Sequence, residues 1–503
     1  MSAAAEAGGP ARTFGASARA SVLWGGGFTL FRDVLQFATL IVLVRHVMPD
    51  DYGRAALAQT ILGLLSVASF STWSLHALQA RDPAKVEWQS HFAAAAVING
   101  ALVLVTLAVA GLLSLTARWA AASLPLAALS LVLVVEIPGA LRIRMAQVTH
   151  DWLRFRLLLI SGSLLGCSAG IVIAMLGGGV WALVVQPVLL GLPAAVDLIF
   201  IARWRPDWSW SWRRYRETAH FAVARMGGGA MFNGRQMLEQ SVLTGTFDFA
   251  ALGVFTRAMG LAMLVAGRLG AVCIGALYPV ITRSEPRSAQ FRRQASLVTR
   301  GVVWATFPAA GVLALAAPDI SNLLYGPRWD AVIPLLPLAA AATGLGGIAG
   351  TAGSLLLAND ESRACLAIDV VSAVLGTVLA LLVIPMGMGI YLAALMAHGT
   401  VVLGLAVSLL TRTCGIDRAG LVDAFLPAIV AAVTGAAAAI AARGAVEASA
   451  IAPVRILVVA GLFCAVYVTV LRVAFEKPFR ELLAVAPGGR RLSAAFALTP
   501  GAV

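Results

Sequence analysis

The chain has 503 residues, 60% of them hydrophobic and only 12% charged, and its mean hydropathy is +0.88. That is far too little polar surface to coat a water-soluble globule, so the chain belongs in a bilayer. Its net charge of +13 does not indicate a nucleic-acid partner, because the arginines are dispersed over short loops and form no groove.

In chain order, apolar windows recur from end to end, each near the ~20 residues a helix needs to cross ~30 Å of hydrocarbon. Residues 1–20 form a short leading segment with Arg12 and Arg19; no A-x-A cleavage site comes after it, so the first window is expected to be an uncleaved helix. Six predicted spans, roughly 21–45, 53–79, 90–116, 119–141, 157–177 and 179–201, make an N-terminal lobe over 21–201. The linker 202–217 contains "RWRPDWSWSWRRYRE" from Arg203. Its amphipathic aromatics and cations suit the headgroup layer, giving either an interfacial elbow or a basic loop with an aromatic belt. Six more spans, roughly 218–245, 250–281, 301–318, 331–357, 364–386 and 388–410, make a C-terminal lobe over 218–411. Two further helices, 421–442 and 453–474, occupy 412–474 and precede a tail at 475–503. The expected fold is all-α: about fourteen transmembrane helices in two pseudo-symmetric six-helix lobes plus two C-terminal helices.

With the N-terminus inside, most of the 37 Lys and Arg residues fall on inner loops and inner span ends. The positive-inside rule then puts both termini on the cytoplasmic side. The five cysteines, Cys167, Cys273, Cys365, Cys414 and Cys464, are scattered and lie mostly in spans, indicating neither a disulfide framework nor a metal site. No cofactor is expected.

An internal repeat organises the chain. "WGGGFTLFRDVLQFATLI" begins at Trp24 and "MGGGAMFNGRQMLEQSVL" at Met226. Setting Gly25–Gly27 over Gly227–Gly229 brings Asp33 over Arg235. A shift of about 200 lays "PDDYGRAALAQ" from Pro49 over "DFAALGVFTRAMG" from Asp248. Duplicated halves with a substrate site between them are a recurring transporter plan. The triple glycines either let helices pack closely or supply a bend.

Charge inside the spans marks the candidate site, since each such group costs about 2.5–3.5 kcal/mol at a helix centre. Arg32, Arg235 and Arg268 fall near mid-span, whereas Arg225 and Arg257 lie nearer a surface and can snorkel. On a uniform α-helix Arg257 and Arg268 are about 20° apart, forming one stripe. Glu239 comes four residues after Arg235, a spacing that permits an ion pair. Asp33 can neutralise Arg32 or reach the other half. Glu136 precedes Pro138 by two residues, where freed backbone groups and a carboxylate collect water, making it a candidate proton site. Packing or capping is expected of Asp197, Asp369 and His398, and capping of Asp50 and Asp51. If the two halves are equivalent, their polar faces look into one cationic cavity.

Four stretches carry a resemblance: "LIVLVRHVMPDDYGRAALAQTI", "GVFTRAMGLAMLVAGRLGAVCIGALYPVITR", "LLYGPRWDAVIPLLPLAAAA" and "MGMGIYLAALMAHG". In this order and at these spans they resemble the bacterial polysaccharide exporters and O-antigen flippases of the multidrug/oligosaccharidyl-lipid/polysaccharide exporter superfamily. The resemblance implies a V-shaped two-lobed bundle, not an enzyme, that turns a polyprenyl-pyrophosphate-linked oligosaccharide to the outer leaflet for O-antigen, capsule or exopolysaccharide biosynthesis. It implies that lumen arginines meet pyrophosphate or acidic sugars, a role carried to Arg32, Arg235 and Arg268, and to Arg225 and Arg257. Asp33, Glu239 and Glu136 are the candidates for proton or ion coupling. Besides the bilayer, a polysaccharide polymerase and glycosyltransferases of the same pathway are the expected partners. Two alternatives stand: a multidrug antiporter of the same superfamily, disfavoured by the arginine excess, and a membrane polymerase or ligase, disfavoured by the shortness of the outer loops.

Overall fold

The computed structural model describes residues 10–79, 82–207, 212–282, 284–446 and 451–485; the side chains before Gly27 and a few others, Arg225 among them, lie outside that description. Among the described residues every regular element is helical. The helices are α1 (Pro10–His46), α2 (Pro49–Ser66), α3 (Trp88–Ser114), α4 (Ala120–Val148), α5 (Trp152–Met175), α6 (Trp181–Ile201) and α7 (Trp212–Thr246). They continue as α8 (Phe249–Ala262), α9 (Arg268–Ile281), α10 (Ala289–Leu315), α11 (Leu336–Ala358), α12 (Ser362–Val383), α13 (Met388–Cys414), α14 (Arg418–Val446), α15 (Ala452–Ala474) and α16 (Glu476–Val485).

Eleven helices among the described residues are long and apolar enough to cross a membrane. A twelfth is added if α2 and Phe70–Leu78, bent by 41°, count as one span. The other two of the expected fourteen fall on α1 and α7, where some side chains are not described. Leu104, Leu112, Leu382 and Leu457 all stand exposed on helix surfaces, which suits hydrocarbon and not water. The protein is an integral membrane protein.

The chain divides into two compact units, Met1–Gln240 and Ser241–Val503. In the first unit, small residues set the helix spacing. Gly162, Gly166 and Gly170 recur every fourth residue on α5 and face α6; a Cβ at Gly162 would lie 2.0 Å from the Leu190 carbonyl oxygen, and one at Gly166 2.7 Å from that of Gln186. Only glycine permits backbones to approach this closely. Asp50 and Asp51 sit in the first turn of α2, where the helix dipole favours acid, and both pair with Arg54. Asp51 also presses on Gly179, whose φ of +53° and lack of a Cβ make room for it. Residues of α7 up to Gln240 lean on α2: Thr60 donates to Gln240 Oε1 (2.9 Å), and Gly229 abuts Val67. Among the described residues nothing lies within 4 Å of a Cβ placed at Gly27, Gly227 or Gly228.

The second unit is built around Phe291, Val302, Leu355, Leu410 and Phe463, contributed by α10, α11, α13 and α15. Trp304 donates from Nε1 to the Ala424 carbonyl (2.9 Å) and receives the Tyr467 hydroxyl on its own carbonyl (3.2 Å). The first residues of the expected tail instead form α16, a short amphipathic helix docked on this core. Phe479 stacks on Trp304 with centroids 6.3 Å apart. Arg300, its side chain 4% exposed, donates to Glu481 Oε2 (2.8 Å) and to the Pro478 carbonyl (3.2 Å), with Asp423 at 3.8 Å.

Two pairs of element boundaries recur 200 residues apart. α1 ends at His46 and α7 at Thr246; α2 begins at Pro49 and α8 at Phe249. Each second helix is then interrupted, α2 by the break at 67–69 and α8 by a π turn, Met263–Gly267.

Candidate substrate and coupling residues

Five of the eight singled-out residues lie in the first unit with described side chains. Arg32 and Asp33, both about one-third exposed on α1, approach to 3.8 Å. Arg32 donates no hydrogen bond among the described residues, and its Nε is buried without a partner. On α7, Arg235 Nη1 lies 3.4 Å from Glu239 Oε2, so the four-residue spacing does form its pair; Glu239 is buried and Arg235 partly exposed. One of Arg235's five N–H donors is engaged there. Arg225 lies on the same helix, with its side chain outside the described residues.

Glu136, in the middle of α4, accepts at Oε1 from the Ser71 amide (2.7 Å) and the Ser69 hydroxyl (2.8 Å). It therefore binds the break in α2, and the backbone freed by Pro138 in its own helix is not what it satisfies.

Arg257 and Arg268 belong to the second unit. Between them lies a π turn, Met263–Gly267, so the uniform helical step on which the expected stripe rests is not kept. Arg257 is half-buried, and its carbonyl accepts from the Tyr325 hydroxyl (3.4 Å); Arg268, just past the π turn, is exposed.

Other polar groups went unassigned or under-read in the sequence. Asp197, expected to cap or pack, is held by two arginines: Arg142 through Nε, and Arg154 through Nη2 (2.7 Å) and Nε (3.2 Å). His398 packs on the Ser372 carbonyl, its Nε2 at 3.1 Å. Asn99, wholly buried on α3, accepts from the Phe70 amide and donates to the Leu133 carbonyl, each at 2.9 Å. The signal that could have found this junction is the polar run "SVASFSTWSLH" inside an apolar window. In the second unit an apolar cavity of about 420 Å³ opens between α10, α11, α14 and α15, lined by Thr306, Phe307, Leu345, Val433, Ala436 and Phe463. The Thr306 hydroxyl is buried there without a partner. Among the described residues no three His, Cys, Asp or Glu side chains gather as a metal site would require.

Residues 42–334, more than half of the chain, match the family described as polysaccharide biosynthesis protein, and the chain belongs to that family. It is 22% identical over 316 residues to the succinoglycan biosynthesis transport protein ExoT of Rhizobium meliloti (strain 1021), covering 62% of this chain. The chain spans 63% of that relative's length. Among solved structures, the lipid II flippase MurJ in an inward closed conformation aligns with a TM-score of 0.70 at 10% identity, over 90% of this chain and 99% of that one. An inward-facing multidrug resistance MATE family transporter of the MOP superfamily aligns at 0.56 and 14% identity, over 76% of this chain and 95% of that one. At these identities the likeness is one of fold. By name these proteins are transporters and a flippase, not enzymes.

Proposed function

We infer that the protein is an alternating-access flippase for a polyprenyl-pyrophosphate-linked oligosaccharide, acting in the bacterial inner membrane during surface polysaccharide synthesis. The observation that carries this reading is the unspent donor capacity of Arg32 and Arg235 on membrane-spanning helices of a polysaccharide biosynthesis protein. Unsatisfied guanidinium donors in hydrocarbon are costly, so these faces look onto water or an anion. Planar N–H forks match phosphate oxygens, and a low-dielectric wall strengthens the attraction. Arg268 and Arg257 supply the same chemistry from the second repeat, with Arg225 beside them in role. The apolar cavity lined by Phe307 and Phe463 suits a hydrocarbon segment and not a sugar. Asp33, Glu239 and Glu136 are the carboxylates available for coupling, and both termini are cytoplasmic. Polymerase and glycosyltransferases of the same pathway supply and consume the substrate.

Deleting the gene is expected to leave a lipid-linked oligosaccharide in the inner leaflet, beyond reach of reagents added outside. Arg32→Ala, Arg235→Ala and Arg268→Ala are each expected to impair export at matched expression. Undiminished export by all three overturns the arginine assignment. The likeness to a multidrug transporter favours a second reading, drug efflux; deletion that sensitises cells to cationic drugs with no change in lipid-linked sugars selects it.

A further inference from the structure

The break in α2 is held together from outside the helix. Beyond Ser66 the chain turns through 67–69 and resumes at Phe70, which leaves the amides of Phe70 and Ser71 with no carbonyl in their own helix. Three side chains from neighbouring helices meet the exposed groups. Asn99 takes the Phe70 amide (2.9 Å). Glu136 takes the Ser71 amide (2.7 Å) and the Ser69 hydroxyl (2.8 Å), both on Oε1. Arg144 donates to the Ser71 carbonyl (3.3 Å) and the Ser74 hydroxyl (2.9 Å). The interruption at the matching position of α8 is a π turn that keeps its backbone hydrogen bonds within the helix.

Of the three, Glu136 is the only carboxylic acid, a side chain that exists either charged or neutral; an asparagine amide does not ionise and a guanidinium stays charged. Arg144 is close enough to feel that charge, but its guanidinium bonds the break and not the carboxylate. Other charged side chains on the elements around Glu136 are engaged elsewhere. Asp50, Asp51 and Arg54 pair at the far end of α2, and Arg235 pairs with Glu239 on α7. Arg142 and Arg154 hold Asp197. On α3, His91 bonds the Glu87 carbonyl through Nδ1, and Glu87 receives the Ser90 hydroxyl. His76 lies on the segment just past the break.

We propose that Glu136 is a proton-operated latch on the α2 break. Ionised, it holds residues 69–71 through two charge-assisted hydrogen bonds. A proton taken from water at the carboxylate makes Oε1 a weaker acceptor and adds an O–H, for which Oε2 has no hydrogen-bond partner among the described residues. The turn at 67–69 then loosens, and the two halves of the span change their angle. The latch rests on the transport reading only for its use, which is to tie proton uptake to a movement of this span.

The test is hydrogen–deuterium exchange of the full chain in lipid nanodiscs with no substrate added, so it reads the latch whatever the protein carries. In the wild type, exchange of peptides covering 67–79, corrected for the intrinsic rate, is expected to rise about tenfold as pH falls from neutrality through the carboxylate range. Glu136→Gln, which imitates the protonated acid, is expected to show the fast exchange at every pH, while Glu136→Asp keeps the dependence. His76→Gln and His91→Gln are expected to leave it in place. A flat corrected profile in the wild type, or a profile carried away by either histidine substitution, overturns the proposal even if Glu136→Gln fails to insert. A Glu136→Gln profile that tracks the wild type overturns it as well.

Discussion

Asp197 offers the sharpest test of how the first unit is held together. Its carboxylate is 7% exposed and joins α6 to α4 through Arg142, 13% exposed, and to α5 through Arg154, 36% exposed. Asp197→Asn removes the charge and keeps the shape. Arg142 then remains buried with no carboxylate, a loss of about 3–5 kcal/mol for a buried pair broken on one side. Arg154 can turn toward solvent, so its share is below about 1 kcal/mol. For a unit of this size each kcal/mol moves the midpoint by about 2–4 °C, which gives a fall of at least about 6 °C. The assay is a thermal melt monitored by a thiol-reactive dye in a background with Cys273, Cys365, Cys414 and Cys464 replaced by serine, so that Cys167, buried on α5, reports opening of this unit. Variants are compared at one scan rate, because membrane-protein unfolding is read kinetically. The double variant Arg142→Leu/Asp197→Leu is expected to recover much of the loss by removing both charges. A single variant melting within about 1 °C of the wild type, or a double variant no better than the single, refutes the reasoning.

Three shorter predictions accompany it. Gly162→Ala must push α5 away from the Leu190 carbonyl and is expected to cost about 1–3 kcal/mol, whereas Gly227→Ala, with nothing within 4 Å, is expected to leave the melt unchanged or raise it by up to about 1 kcal/mol of helix propensity; equal melts contradict the packing argument. Asn99→Ala strands the buried Phe70 amide and is expected to cost about 1–3 kcal/mol, with faster exchange confined to the peptides around the α2 break. Phe479→Ala removes the ring stacked on Trp304 and is expected to cost α16 about 3–5 kcal/mol of docking, seen as cleavage within Glu476–Val485 by a protease that spares the wild type.

Hydrophobic windows made the helical class and most spans legible, because a bilayer demands about 20 apolar residues and leaves few other solutions. The Pro49 and Asp248 motifs, set over one another in the sequence, each stand at the start of a helix, α2 at Pro49 and α8 at Phe249. The interruptions were not legible. A π turn depends on one extra residue that composition does not mark, and it breaks the uniform step from which the Arg257–Arg268 stripe was read. The Arg235–Glu239 pair was legible because both residues share one helix face; Asp197 with Arg142 and Arg154 was not, since three helices must first be packed. Glu136 stood out by its cost, but its bonds to Ser69 and Ser71 join residues more than sixty positions apart, beyond the reach of any local pattern.

The contact between Arg300 and Glu481 joins residues 181 positions apart. At roughly 5–20 residues per second, the ribosome needs about 10–40 s to deliver Glu481 after Arg300 has emerged. Over that interval Asp423, which reaches Arg300 to 3.8 Å, is the carboxylate available to the guanidinium, so the tight seal on Arg300 forms only after α16 has been made.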